Sequence, residues 1–161
     1  MPNGRRSDRS KLKWASAIVE QEGLRATGYG LQVRCVGAMS RDHRKLKVFH
    51  LADDLVLQVY RATGRLPAEE RYGLQSQIRR AAVSIAAALV EGSARRTTRD
   101  YAHFVTIALG SASEVRYLLS VGRRLAMLET EPTTALEARY DELVRGLQAL
   151  VSALDNERDA P

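Results

Sequence analysis

Apolar residues recur at helical spacing from Lys45 onward, and at no regular spacing before it. Phe49, Ala52, Leu55, Val56 and Val59 share one helical face and predict a first helix from residue 47 to about Ala62. Thr63-Gly64 ends it, a glycine just past the last periodic residue. Pro67 sets the entry of a second helix, with Glu69 and Glu70 in its first turn, where acids suit the helix dipole. Its stripe is Leu74, Ile78, Ala81, Ala82, Ile85 and Leu89, and Gly92 closes it. Thr97 and Asp100 stand as a capping pair that opens a third helix of about thirty residues, ~45 Å long. That helix carries Tyr101, Phe104, Val105, Ala108, Ala112, Val115, Leu119, Gly122 and Ala126 on its stripe. Pro132 and the pair Thr134 and Glu137 open the fourth, where Leu136, Tyr140, Leu143, Leu147, Leu150 and Leu154 alternate spacings of four and three. This heptad seam suits left-handed antiparallel packing.

Four amphipathic helices with short connections and no competing strand predict an all-α fold, an antiparallel up-down-up-down four-helix bundle over residues 47–156. Residues 157–161 form a C-terminal tail. Residues 1–46 are expected to be a flexible basic leader. Glycines interrupt each of its short apolar runs, and Trp14 to Val19 offer at most a helical turn or two. Gly28 and Gly30 begin a G-x-G-x-x-V string without the strand or the G-K-[ST] that a phosphate loop requires. A second reading starts translation at Met39 instead of Met1; a native peptide spanning Val33 to Arg44 would exclude it.

Composition adds location to this picture. The 161 residues carry a formal net charge of +6, with 45% apolar and 27% charged residues. That excludes a wholly disordered chain. No run approaches the ~20 unbroken apolar residues of a membrane span, and no secretory apolar segment follows the basic start. A cytoplasmic protein without membrane association is expected. Cys35 stands alone, so no intrachain disulfide or cysteine-rich zinc site is available. The charge is uneven. Residues 1–46 hold ten Lys and Arg against four acids; residues 47–156 hold fourteen against thirteen. Within that body, Arg71 to Arg99 contains six arginines and one acid, and Glu129 to Asp159 contains eight acids and three arginines.

The second helix has an unusual far side. Gln77, Ser84 and Glu91 follow one another at sevens, as do Gly73, Arg80 and Ala87, about 90–170° from the centre of the apolar stripe at 100° per residue. A solvated face would be richer in Lys and Glu. Small residues admit another backbone, and Gln, Arg and Ser can be paired across the contact. The third helix adds Gly110 and Ser111 within a cluster of small residues, although a helix-interior glycine costs ~1 kcal/mol relative to alanine. Gly73, Gln77, Arg80, Ser84, Ala87, Glu91, Gly110 and Ser111 are therefore the candidate oligomer-interface residues; a quiet polar face is the alternative. Arg79, Arg80, Arg95, Arg96 and Arg99 are candidate nucleic-acid contacts, because the guanidinium fork suits phosphate oxygens. Symmetry in an oligomer would sum these modest charges into a belt of positive potential.

The run Tyr72-Gly73-Leu74, Gln77-Ile78-Arg79-Arg80-Ala81, Ser84-Ile85 and Glu91-Gly92, followed by Phe104, Ile107-Ala108, Gly110-Ser111 and Glu114, resembles the four-helix-bundle family of proteins encoded in intervening sequences of bacterial 23S rRNA genes. Phe49, Leu51, Leu66-Pro67 and Glu70 match upstream, so the resemblance spans roughly residues 47–155. Ala88 stands where the family has Asn, and Val90 where it has Ala. The resemblance implies a ring-like homopentamer. It also points to accessory proteins of diversity-generating retroelements, similar in fold, which bind nucleic acid and a reverse transcriptase.

The expected function is non-catalytic: an oligomer binding RNA or DNA through phosphates with little sequence preference. The alternative is an oligomeric scaffold that recruits a protein partner, such as a reverse transcriptase, using the acidic fourth helix. Tyr72 is the candidate exposed aromatic, Tyr101 and Phe104 being assigned to the core. No catalytic residue, metal or cofactor is expected. Di-iron bundles need paired E-x-x-H motifs, and Asp100-x-x-His103 is a lone imitation; His43 and His50 lie far from it in sequence, and no nucleophile elbow surrounds Ser84 or Ser111.

Overall fold

The computed structural model describes residues 42–158. The leader readings, namely the turn at Trp14 to Val19, the Gly28 and Gly30 string, Cys35 and the Met39 start, lie outside the described residues. Four helices form the described chain: α1 (Lys47–Ala62), α2 (Leu74–Ser93), α3 (Thr98–Arg124) and α4 (Thr130–Arg158). No strand occurs among the described residues. α2 and α4 each pack extensively on α3, and the shorter α1 closes the bundle more sparsely against α2 and α4. The fold is the all-α four-helix bundle that the periodicity predicts.

Local chemistry sets the helix ends. At α3 the predicted pair forms: the Asp100 N–H donates to Thr97 Oγ1 at 3.0 Å, and Thr97 Oγ1 donates to the Asp100 carboxylate at 2.7 Å. α2 begins later than its acidic first turn suggests. Ala68–Arg71 is a 3-10 turn, Gly73 breaks the path, and the Glu70 carboxylate caps the new start by accepting from the Leu74 N–H at 2.8 Å. α4 begins earlier, at Thr130, so Pro132 falls within its first turn. The Thr134 and Glu137 box does not form: Thr134 Oγ1 donates back to the Thr130 carbonyl, and Glu137 turns to Arg123 on α3. α3 stops short of Ala126, which adopts φ +54° and lets the Leu128 N–H reach the Gly122 carbonyl.

The core holds Leu55, Val59, Ile78, Ile85, Leu89, Val105, Val115 and Leu119, together with the whole heptad seam of α4. α3 is long and apolar enough, by length and composition alone, to cross a membrane; in the bundle its stripe forms the central seam between α2 and α4. Close approach needs glycine inside the bundle. A Cβ on Gly92 would come 2.7 Å from Phe104, and one on Gly122 would come 2.8 Å from Leu128. Ala88, where the family has Asn, is a core residue and not part of the outer face of α2.

Candidate nucleic-acid and subunit-contact surfaces

The far side of α2 faces outward. Gly73, Gln77, Arg80, Ala87 and Glu91 are exposed. Arg80 donates to the Gln77 side-chain carbonyl at 2.8 Å, and Glu91 pairs with Arg95 one turn on. Gly73 has a reason within the chain, since a Cβ there would meet the Glu70 carboxylate that caps α2. Ser84 and Ser111 are half-buried and hydrogen-bonded to each other at 3.0 Å. That bond crosses the α2–α3 seam, so these two hydroxyls already have each other.

Gly110 differs from the glycines of the core. It is exposed on α3, and a Cβ there would meet nothing within 4 Å. No contact inside the described chain offsets its ~1 kcal/mol cost in a helix interior. Apolar side chains are exposed on the same side of α3, Ile107 and Tyr117 at 39% and 64%, and on the outer side of α2, Val83 and Val90 at 42% and 41%. Tyr117 escapes a reading of the sequence because its stripe position predicts only that it avoids the core. Tyr72, singled out from the sequence, is 87% exposed.

The five candidate arginines do not form one patch. Fourteen residues of helix, about 21 Å at 1.5 Å per residue, separate Arg79 from the end of α2, and Arg95 lies beyond it. Arg79 is committed inside the chain. Its Nε donates to the buried Thr63 Oγ1 at 2.8 Å, its Nη2 to the Tyr60 carbonyl at 3.3 Å, and its guanidinium lies 4.8 Å from the Tyr60 ring centroid. With Gln75, which donates to the Thr63 carbonyl, it ties the end of α1 to α2. Arg95 pairs with Glu91 and stacks on Phe104, centroid distance 4.6 Å. Arg96 and Arg99 are exposed, and neither has an ion pair with a described residue.

Folding adds members that the sequence kept apart. His43 Nδ1 lies 3.2 Å from Ser93 Oγ, which brings the turn at His43–Lys45 against the end of α2. Since Ser93 Oγ donates to the Val90 carbonyl, the imidazole donates to Ser93. Lys45 and Lys47, both exposed and unpaired among the described residues, thus join Arg96 and Arg99 at one end of the bundle. Arg44 is there too, held by Asp42, whose carboxyl its guanidinium pulls below the usual range. At the opposite end Arg61, Arg71 and Arg124 are also exposed without ion pairs among the described residues, Glu69 and Glu131 are exposed as well, and Arg65 is paired with Glu129. Part of the acidic character of α4 is neutralised inside the fold: Glu137 is paired with Arg123 and Asp141 with Arg116, and Glu129, just before the helix, is paired with Arg65. No cluster of His, Cys, Asp and Glu suited to a metal occurs among the described residues.

A crystal structure of a protein of unknown function from the S23 ribosomal protein family of Bacteroides thetaiotaomicron VPI-5482 is similar in fold. Its TM-score is 0.61 at 20% identity, over 65% of this chain and 97% of that chain. No curated protein matches the chain. A profile of the 23S rRNA-intervening sequence proteins matches residues 44–149, the segment that holds most of the bundle. The chain therefore belongs to the 23S rRNA-intervening sequence protein family.

Proposed function

We propose that this protein is a non-catalytic homo-oligomer of the cytoplasm that binds RNA or DNA through phosphate contacts with little sequence preference. The observation that carries this reading is the bundle end where Lys45, Lys47, Arg96 and Arg99 stand exposed without ion pairs among the described residues. Residues 1–41, with eight further Lys and Arg, are covalently joined at this end. A cluster of free cations attracts a polyanion and releases its counterions, and no base-reading helix is needed. Arg95 stands beside this set with a partner of its own; Arg80 lies toward the other end of α2, bonded to Gln77, and Arg79 serves the fold. Exposed Gly110 and the outer face of α2 support contact between subunits, and five is the number that the family resemblance implies. The alternative, recruitment of a reverse transcriptase or another protein by acidic α4, loses support from the pairing of Glu129, Glu137 and Asp141 within the chain.

A gel-shift series with single-stranded RNA over increasing salt tests the reading, alongside light scattering with and without RNA. Four phosphate contacts per subunit give a slope of log affinity against log salt of about −3. Binding that is flat between low and moderate salt contradicts it.

A further inference from the structure

A cleft of about 190 Å³ opens where the end of α1 meets the connection between α3 and α4. Arg61 and Arg65 line it from the α1 side. Met127 and Leu128 of the connection, with Pro132 in the first turn of α4, give it an apolar wall. Two polar side chains in the lining stand without partners. Arg61 is exposed and has neither a hydrogen bond nor an ion pair with a described residue. Thr133 is 3% exposed, and its hydroxyl bonds no described group. Thr63, Thr106 and Thr134 each donate back to the carbonyl four residues earlier, which Thr133 does not. A buried hydroxyl without a partner is costly. Unlike the Tyr140 hydroxyl, which is sealed in the core, that of Thr133 belongs to a residue lining the cleft.

We infer that this cleft binds a small organic carboxylate, with Arg61 and the Thr133 hydroxyl on the carboxylate and Met127, Leu128 and Pro132 around its apolar body. The sign of the ligand follows from the lining. Glu129 is the one acid there among the described residues, and Arg65 holds its carboxylate at 2.7 Å, so the charge left over is the guanidinium of Arg61. Glu131, exposed on the same turn, is outside the lining. Helix dipoles do not decide the sign, because α4 brings its positive end and α1 its negative end to the cleft. The guanidinium fork matches the two oxygens of a carboxylate, and a neighbouring hydroxyl donates a third bond. Size sets the rest. A cavity of ~150 Å³ holds a benzene ring, so this cleft suits a body of that size; it lies below the ~300 Å³ at which drug-sized ligands begin to fit. A bound ligand would tie the sparsely packed α1 to the connection between α3 and α4. The site is independent of the nucleic-acid reading, which rests on the opposite end of the bundle.

The full chain, isotope-labelled at its methionine methyls, is titrated by NMR at neutral pH and constant ionic strength with benzoate, its neutral isostere benzamide, and benzylammonium. Met127 is the methionine of the cleft, so its methyl signal, identified with Met127→Leu, reports occupancy. Benzoate should move that signal to saturation at millimolar concentration, and benzamide should bind about tenfold more weakly for want of the charge. Arg61→Gln, at an exposed side chain, should reduce benzoate to the affinity of benzamide and leave benzamide unchanged. Thr133→Val, equal in shape but without the hydroxyl, should weaken benzoate about fivefold. A Met127 signal unmoved at tens of millimolar benzoate overturns the inference. So does equal binding of benzoate and benzamide, tighter binding of benzylammonium, or full benzoate affinity in either variant.

Discussion

Tyr140 carries its hydroxyl into the bundle interior, where no described group bonds it. Burial pushes its ionisation well above the usual tyrosine value of 10. In the unfolded chain the phenol ionises near that value, while in the folded chain it keeps its proton. Below pH 10 this group leaves stability independent of pH. Above it the unfolded state binds fewer protons, and stability falls by about 1.4 kcal/mol per pH unit. Tyr140→Phe should remove that alkaline slope and gain about 1 kcal/mol at neutral pH by deleting a buried hydroxyl without a protein partner; urea melts at several pH values check both. Arg79 presents the reverse case, a charge with a structural task. Arg79→Ala removes two hydrogen bonds and the contact with the Tyr60 ring. The expected loss is about 1–3 kcal/mol in a denaturant melt, with unchanged affinity of the folded protein for RNA. Weakened binding without lost stability would show Arg79 to be a phosphate contact.

At the scale of the helix, α3 presents two kinds of glycine. Gly122 is pressed by Leu128 and Leu74, so its absent side chain serves packing within the bundle. Gly110 is open, and alanine there would stabilise a solitary subunit by about 0.5–1 kcal/mol. If a neighbouring subunit lies over it, the added methyl obstructs the contact. Gly110→Ala should therefore sediment as a smaller species than wild type at the same micromolar concentration. A variant with raised stability and wild-type assembly would place the subunit contact elsewhere. The helices themselves were legible because burial repeats every 3.6 residues. Their starts were less so: Glu70 caps α2 from a 3-10 turn that the acidic run does not announce, and Glu137 deserts its box for Arg123, a partner on another helix that only the folded chain brings near.

The bundle as a whole carries exposed cations at both ends. α1 and α3 begin at the end of Lys45, Lys47, Arg96 and Arg99, α2 and α4 at the end of Arg61, Arg71 and Arg124. Charge reversal of Lys47, Arg96 and Arg99 to Glu should abolish RNA binding while circular dichroism stays helical. The same reversal of Arg61, Arg71 and Arg124, at the opposite end, should weaken it far less, because about 30 Å of helix, more than a Debye length, separates them from the ligand. Equal loss from both triple variants would mean that net charge alone drives binding.

From the sequence alone, period and capping chemistry determined four helices, the stripe each buries and the outward side of α2, because these depend on residues within a few turns of one another. Tertiary structure decided what the charged and polar side chains do. It gave Arg79 to Thr63, paired Ser84 with Ser111, matched Glu137 and Asp141 of α4 to arginines of α3, and carried Lys45, Lys47 and His43 to the end that holds Arg96 and Arg99. Those partners lie across the bundle from one another, at separations along the chain that periodicity does not encode.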